Sequence, residues 1–174
     1  GDSLAEVSVM KSMVLLLSLF GLLAPAACDR NEPDVPPTIR LGRDECGECG
    51  MAIHEERSSA ALLVERDGRR EYVLFDDIGC FLNTLHTSAP ELKAVHAFVH
   101  DYSNKAWISA STANFLLSGS TGLRTPMGSG IAAFTHRADA ENMQKQVGGE
   151  IVDYKSVVAW HSQRMNDRSK AAGR

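Results

Sequence analysis

Two thiols, a thioether and an imidazole fall within eleven residues of the sequence, in the segment that runs from Asp44 to His54. Cys46 and Cys49 supply the thiols, and Met51 supplies the thioether. Thiolate and thioether sulfur are soft ligands that select Cu(I) over hard cations. Zinc prefers thiolate, imidazole and carboxylate, so a thioether adds nothing to a zinc site. The segment therefore predicts a Cu(I) site in which Cys49, Met51 and Cys46 are candidate ligands.

A further thioether belongs to Met127, which stands between Pro126 and Gly128 in a long predicted loop. The proline fixes the backbone on one side and the glycine frees it on the other, so the turn presents the methionine side chain. Loops held on a rigid scaffold carry a disproportionate share of ligands. Met127 is therefore the fourth candidate ligand, and packing against a sheet is the alternative.

Cys80, Asp76 and Asp77 surround the predicted start of a helix. A buried, inert thiol is as good an interpretation of Cys80 as a metal ligand. The two aspartates could bind a cation, although capping of the helix explains them at least as well.

Other interpretations of the Cys46–Cys49 pair stay open. A thioredoxin-like redox pair belongs at a helix N-terminus after a strand, whereas this motif comes first in the folded region, with no strand-like run before it. A structural zinc site needs four ligands, which Cys46, Cys49, Cys80 and a histidine could supply. A disulfide between Cys46 and Cys49 could form in an oxidising envelope. An organomercurial-type lyase would also use soft thiols, and nothing else in the sequence favours it.

The strongly apolar stretch Met13–Leu23 is too short to span a bilayer, because a membrane helix takes about 20 apolar residues. It follows Lys11 and leads into small residues that stop at Cys28. This is the three-part pattern of a secretory signal, and its end at a cysteine resembles a lipoprotein signal, in which that cysteine is lipidated. We expect residues 1–27 to be an upstream extension and signal peptide, and Cys28 to carry the lipid. An ordinary signal with Cys28 incidental is the alternative.

The two flanks of the folded region differ from it in composition. Residues 28–37 are polar and rich in proline, which favours an extended chain, and we expect them to form a lipid-anchored linker. We expect residues 166–174 to be a flexible tail. The remainder is long enough for one compact domain or two small, tightly packed halves. A formal net charge of -4 and the lack of a basic stripe argue against nucleic acid as a partner.

Hydrophobic patterning divides the folded region into strands and helices. We predict strands at 60–65, 70–75, 92–100, 105–111, 131–136 and 150–152, helices at 78–87, 137–147 and 155–164, and a long loop at 113–129. The order strand, strand, helix, strand occurs twice. The predicted fold is therefore α+β, with two related ββαβ-type halves, 38–103 and 104–165, packed together behind a disordered N-terminal tether.

Four motifs follow one another through nearly all of the folded region. They are Cys46-Gly47-Glu48-Cys49-Gly50-Met51, Phe75-Asp76-Asp77-Ile78-Gly79-Cys80, Thr125-Pro126-Met127-Gly128-Ser129-Gly130-Ile131-Ala132-Ala133-Phe134 and Gly148-Gly149. Together, and behind a lipoprotein-like signal, they resemble the NosL family. The resemblance implies an envelope lipoprotein that binds Cu(I) and supplies copper for the assembly of nitrous oxide reductase. It implies Cys49, Met51 and Met127 as ligands, followed by Cys46, and it implies two related halves.

The resemblance also implies a metallochaperone that is not an enzyme. Its expected partners are the copper ion, nitrous oxide reductase or its membrane assembly complex, and the lipid bilayer through an acylated Cys28. Its expected location is the periplasmic side of the cell envelope, anchored to a membrane. The alternative function is an envelope thiol–disulfide oxidoreductase that uses Cys46 and Cys49.

Overall fold

The computed structural model describes residues 35–88, 92–119 and 121–173. The predicted signal peptide, the lipidation at Cys28 and most of the predicted linker lie outside the described residues. Within these ranges, no helix combines the length and the apolar character needed to cross a membrane.

A hairpin with an apolar inner strand begins the first sheet. Strand β1 spans Ala60–Arg66 and strand β2 spans Arg69–Phe75. Asp67 and Gly68 form the predicted turn with positive φ angles of 52° and 72°, a conformation that aspartate and glycine tolerate better than most residues. Residues 60–64 are buried, because β1 is paired on both of its edges.

The first sheet is antiparallel and has the strand order β2-β1-β3-β4. Strand β3 spans Lys93–His100 and strand β4 spans Trp107–Ser109. Helix α1, Ile78–Ser88, connects β2 to β3 and buries its apolar side in the core. There the rings of Phe75 and Phe81 lie 5.8 Å apart.

The second sheet is also antiparallel and has the order β6-β5-β7. Its strands are β5, Asn114–Leu117, β6, Ile131–Phe134, and β7, Glu150–Val152. Helix α2, Arg137–Val147, connects β6 to β7, at the residues predicted for it. The two antiparallel sheets confirm the α+β class.

Two predicted elements differ from the structure. The loop prediction for 113–129 is wrong at β5, because this strand is only four residues long and shows no alternation of apolar and polar residues. The strand predicted at 105–111 is shorter and pairs with β3 of the first sheet. The reason is a tight connection in which the amide of Asp101 donates to the carbonyl of Ala106 (2.8 Å).

The order strand, strand, helix, strand occurs once in connection with each sheet. In each set, the first strand lies between the other two strands. The first set is β1, β2, α1 and β3, and the second is β5, β6, α2 and β7. Strand β4 follows the predicted boundary at residue 103 but belongs to the first sheet. The structural relation between the two predicted halves stays a prediction.

Helix α3 spans Tyr154–Ala172. The prediction of a flexible tail from residue 166 is therefore wrong as far as residue 172, where the chain is helical. This stretch contains arginine, lysine and alanine, which favour helices, and it contains no proline. In addition, Gln163 donates a hydrogen bond to Asp167 one turn later (3.0 Å), so the helix continues past the apolar positions that defined its predicted end.

A buried carboxylate joins the two sheets. Asp101, only 1% exposed, follows β3 and forms a bridge with Ala133 of β6. Its side chain accepts hydrogen bonds from the amides of Ser103, Asn104 and Thr135 at 2.8, 3.2 and 2.7 Å. These bonds, together with one apolar cluster that contains residues of both sheets, join the sheets. A second, smaller cluster contains residues of β5, β6 and α2.

We expect acid to destabilise the fold through His100. This residue is 4% exposed, stacks on Trp107 and lies 2.6 Å from the hydroxyl of Ser59. Burial lowers the pKa of His100 from 6.5 to about 4. Because the folded pKa is depressed, its contribution is present above pH 6.5 and is lost as the pH falls through 4.

The measurement is the free energy of unfolding between pH 7 and pH 4. His100→Gln should remove about 1–2 kcal/mol of the decrease, after allowance for solvent screening. His136→Gln, at an exposed position before α2, is the control and should leave the decrease intact. The pKa of Asp76 is raised, so its protonation in acid favours the folded state and opposes the effect of His100. The free energies of unfolding are therefore compared between the variants and the wild type, which all retain Asp76. If the free energy of unfolding fell equally with pH in the wild type, His100→Gln and His136→Gln, the prediction would be contradicted.

Candidate metal centre

The Cys-x-x-Cys motif forms a tight loop closed by backbone hydrogen bonds. Glu45 and Ala52 form an antiparallel bridge at its base. Inside it, the amide of Cys46 donates to the carbonyl of Met51 and the amide of Gly50 donates to the carbonyl of Cys46, both at 2.8 Å. Gly50 has a φ of +73°, which glycine adopts without steric cost. The loop brings the thiols of the motif to one side.

A second contact fastens this loop to the end of β2. The amide of Gly47 donates to the carbonyl of Leu74 at 2.8 Å. A Cβ atom at position 47 would lie 2.3 Å from Cγ1 of Val73, so only glycine permits this approach. Because β2 ends one residue after Leu74, the loop lies beside the connection from β2 to α1.

This connection adds two ligand atoms to the motif. Asp76 follows β2 and Cys80 lies in the first turn of α1. The sulfur atoms of Cys46, Cys49 and Cys80 and a carboxylate oxygen of Asp76 all lie within 4.8 Å of one another. Two atoms bound to one ion at about 2.3 Å can be about 4.6 Å apart at most. A small movement would therefore let all four contact one metal ion.

The surroundings of the group favour the thiolate form at Cys46 and the protonated form at its neighbours. The pKa of Cys46 lies well below its usual range because the thiol of Cys80 donates to its sulfur, and the amides of Cys49, Asp76 and Glu48 donate as well. The pKa of Cys80 is raised by the same hydrogen bond and by burial. Burial raises the pKa of Cys49, and burial followed by the neighbouring Cys46 raises that of Asp76 to about 6. A bound metal ion would displace the remaining protons.

Asp77 holds the turn that carries Met127. This aspartate is fully buried, and its Oδ1 accepts a hydrogen bond from the amide of Gly79 (2.7 Å). Its Oδ2 accepts from the hydroxyl of Thr125 (2.7 Å) and from the amide of Met127 (2.9 Å). The turn therefore lies against the first turn of α1, where a Cβ atom at Gly79 would come 2.7 Å from Ser129. Helix capping, one of the two predicted roles, is confirmed for Asp77.

The four predicted ligands have two different environments. Cys46 is buried and Cys49 is half-buried, and both belong to the four-atom group. Met51 and Met127 are 56% and 45% exposed. Met127 lines a cavity together with Cys80. The ligand role of each stays a prediction.

The sequence grouped Cys80 with Cys46 and Cys49 only in the zinc alternative, and it gave Asp76 as a possible cation ligand or a helix cap. A signal for Cys80 was present, because it lies off the helix face formed by Ile78, Phe81, Leu82 and Leu85. Asp76 carried no comparable signal, since an aspartate before a helix is also typical of a cap.

The structure bears on the alternatives for the Cys46–Cys49 pair. Both residues are free thiols, and their motif lies in a loop before β1 and not at a helix N-terminus. The Cys46 sulfur has thiolate character, but the residue is only 2% exposed, and disulfide exchange requires access to the attacking sulfur. The oxygen atom in the group comes from Asp76, whereas the zinc alternative predicted a histidine.

Comparison with known proteins identifies the family. The model of the NosL family matches residues 38–160, which is most of the chain. The chain belongs to the NosL family. Among solved structures, this NosL-family fold matches the crystal structure of the copper chaperone NosL from Shewanella denitrificans with a TM-score of 0.60 and 24% sequence identity. The match covers 71% of this chain and 95% of that one, and it shows a shared fold. A search of the curated proteins finds no match.

Proposed function

We propose that this NosL-family protein is a Cu(I)-binding metallochaperone. The observation that carries the proposal is the convergence of three thiols within 4.8 Å. Met51 follows Cys49 by two residues, and Met127 lines a cavity together with Cys80. A donor set dominated by sulfur favours Cu(I) over hard cations. Membership of the NosL family, and the shared fold with a protein described as a copper chaperone, support the proposal.

The chemistry is transfer of the ion, without turnover of a substrate. The buried thiol of Cys46 and the half-buried thiol of Cys49 hold Cu(I) on the protein side. Exposed Met51 and Met127 are accessible to incoming ligands. A partner's ligands can then replace the chaperone's one at a time, and the copper stays in the Cu(I) state.

The recipient is nitrous oxide reductase or its membrane assembly complex, to which the copper is delivered for maturation. The proposal includes lipidation of Cys28, with the linker 28–37 placing the folded part on the periplasmic side of the envelope. A tether of this kind raises the effective concentration of the carrier at a membrane-bound partner without new contacts.

The test is an anaerobic Cu(I) titration of the full chain in detergent, in competition with a chromogenic chelator. One equivalent should bind tightly. Cys49→Ser should lower the affinity by about 100-fold, and Met51→Leu and Met127→Leu by about tenfold each. Met143→Leu, at a methionine of α2 that packs against the second apolar cluster, is the control and should change nothing. Weak wild-type binding that none of the ligand variants alters would contradict the proposal.

A structural zinc site is the second candidate function. The observation that favours it is the carboxylate of Asp76 within the group, because three thiolates and one carboxylate are also a tetrahedral zinc set. The metal content of the protein after purification under reducing conditions distinguishes a structural zinc site from a Cu(I) site. Tightly held zinc that Cu(I) does not displace would establish the zinc site.

The two halves are proposed to be structurally related. The strand orders β2-β1-β3 and β6-β5-β7, with a helix before the last strand of each, support this relation.

A further inference from the structure

A cavity of about 230 Å³ borders the metal centre on the side of the Met127 turn. Its walls include Cys80 and Asn83 of α1, Met127 and Ser129 of the turn, and His161 of α3. Cys80 thus belongs both to the four-atom group and to the wall of this cavity.

The histidine in this wall has one unused nitrogen. His161 is 8% exposed, and its Nε2 lies 2.7 Å from Oδ1 of Asn83. The side-chain amide of Asn83 donates through Nδ2 to Glu48 (3.1 Å), so Oδ1 faces the histidine and accepts the Nε2 proton. Nδ1 is then the unprotonated nitrogen.

The Nδ1 lone pair of His161 is buried and has no hydrogen-bond partner in the described part of the chain. Leaving a buried acceptor unpaired costs free energy, and such groups frequently have a functional explanation. Neutral imidazole with one free nitrogen is a common metal ligand, and the hydrogen bond from Nε2 to Asn83 is the kind that orients a ligating histidine.

We propose that Cys80, Met127 and His161 form a second Cu(I) position in this cavity, which shares the Cys80 thiolate with the first group. The inference rests on the proposed function. Met127 is a ligand in both positions. The ion moves between them by ligand exchange: its bonds to Cys46 and Cys49 break as a bond to His161 forms. Cys80 stays bound throughout, no electron is transferred, and the copper stays Cu(I).

The second position binds more weakly than the first, as release requires. One thiolate and two neutral ligands donate less charge than three thiolates. Arg164 and Arg168 also line the cavity and Glu48 is the one acidic residue in its lining, so the charged side chains there are positive on balance and oppose a bare cation. Because Met127 is 45% exposed, an incoming ligand can reach the ion here without entering the core.

The test uses the full chain in detergent with both thiols of the motif replaced, Cys46→Ser/Cys49→Ser. This variant should keep one Cu(I) site of lower affinity, measured anaerobically against a chelator. Adding His161→Gln should lower the remaining affinity by at least about tenfold. Adding Met127→Leu, at a position too exposed to affect folding, should do the same. His54→Gln, an exposed histidine beside the motif, is the matched control and should have no effect.

A second measurement uses the Cys46→Ser/Cys49→Ser variant labelled with ¹⁵N. One equivalent of Cu(I) should shift the Nδ1 resonance of His161 while Nε2 keeps its proton. Two results would overturn the second position, provided that the wild type binds Cu(I). Either the double variant binds no Cu(I), or the affinity of its remaining site does not change with His161→Gln and Met127→Leu. Failure of the wild type to bind Cu(I) would overturn the proposed function and this inference together.

Discussion

Cys80→Ser is expected to lower the Cu(I) affinity of the chain by about 100-fold or more, equivalent to ~3 kcal/mol. Cys80 supplies the third sulfur of the group, and serine offers a hard oxygen that Cu(I) does not favour. The expected loss is larger than that for either methionine, because Cys80 belongs to the buried group and also lines the adjacent cavity. The measurement is the anaerobic chelator competition described above.

Cys80→Ala provides the matched control for this substitution. Cys80 is 2% exposed and packs in the core, so serine and alanine perturb stability differently, the first by burying a hydroxyl and the second by leaving a void. Both should lose Cu(I) affinity to the same extent. The two variants lack the same sulfur atom but differ in their free energies of unfolding. If their Cu(I) affinities differed in the same order as these free energies, Cys80 would be a packing residue only.

Asp77→Asn is expected to lower the free energy of unfolding by about 3 kcal/mol, because hydrogen bonds to a charged acceptor contribute about 1.5–3 kcal/mol each. The buried carboxylate accepts three of them, from Gly79, Thr125 and Met127. An asparagine side chain has one oxygen in place of two, and its NH₂ group would face a donor. Chemical denaturation of the metal-free protein under reducing conditions measures the effect.

The control for Asp77 is Asp153→Asn, before α3. Asp153 also accepts a backbone hydrogen bond, from Ser156 at 2.8 Å, but it is exposed, and asparagine caps a helix about as well as aspartate, so this variant should lose little stability. Asp77→Asn should also lower Cu(I) affinity about as much as Met127→Leu does. Equal, small losses of stability in the two aspartate variants would refute the structural role given to Asp77.

Local patterns predicted most of the elements correctly. The hairpin of β1 and β2 followed from an apolar run, an Asp-Gly turn and a second run, and α2 followed from its periodicity and the Gly148-Gly149 end. The errors fell where local signals are weak. Strand β5 is a strand because it is paired on both edges, by β6 and β7, and four residues carry too little pattern to reveal this.

By itself, the sequence determined the family and the clustering of soft donors that predicts a copper site. Soft donors at close spacing, Cys46, Cys49 and Met51, are a property of residue identity and of a short loop whose glycines permit the turn. The motifs that resemble NosL are linear in the same way. Such features need no knowledge of long-range contacts.

Only the tertiary structure decided which donors meet. Cys80 and Asp76 join Cys46 because the loop is fastened to the end of β2, and Met127 reaches the same helix because Asp77 binds its turn. The unpaired nitrogen of His161 depends on a contact between α1 and α3. The physical reason is that these positions are far apart along the chain, and pairing of strands and burial of polar groups bring them together through contacts that no local pattern encodes.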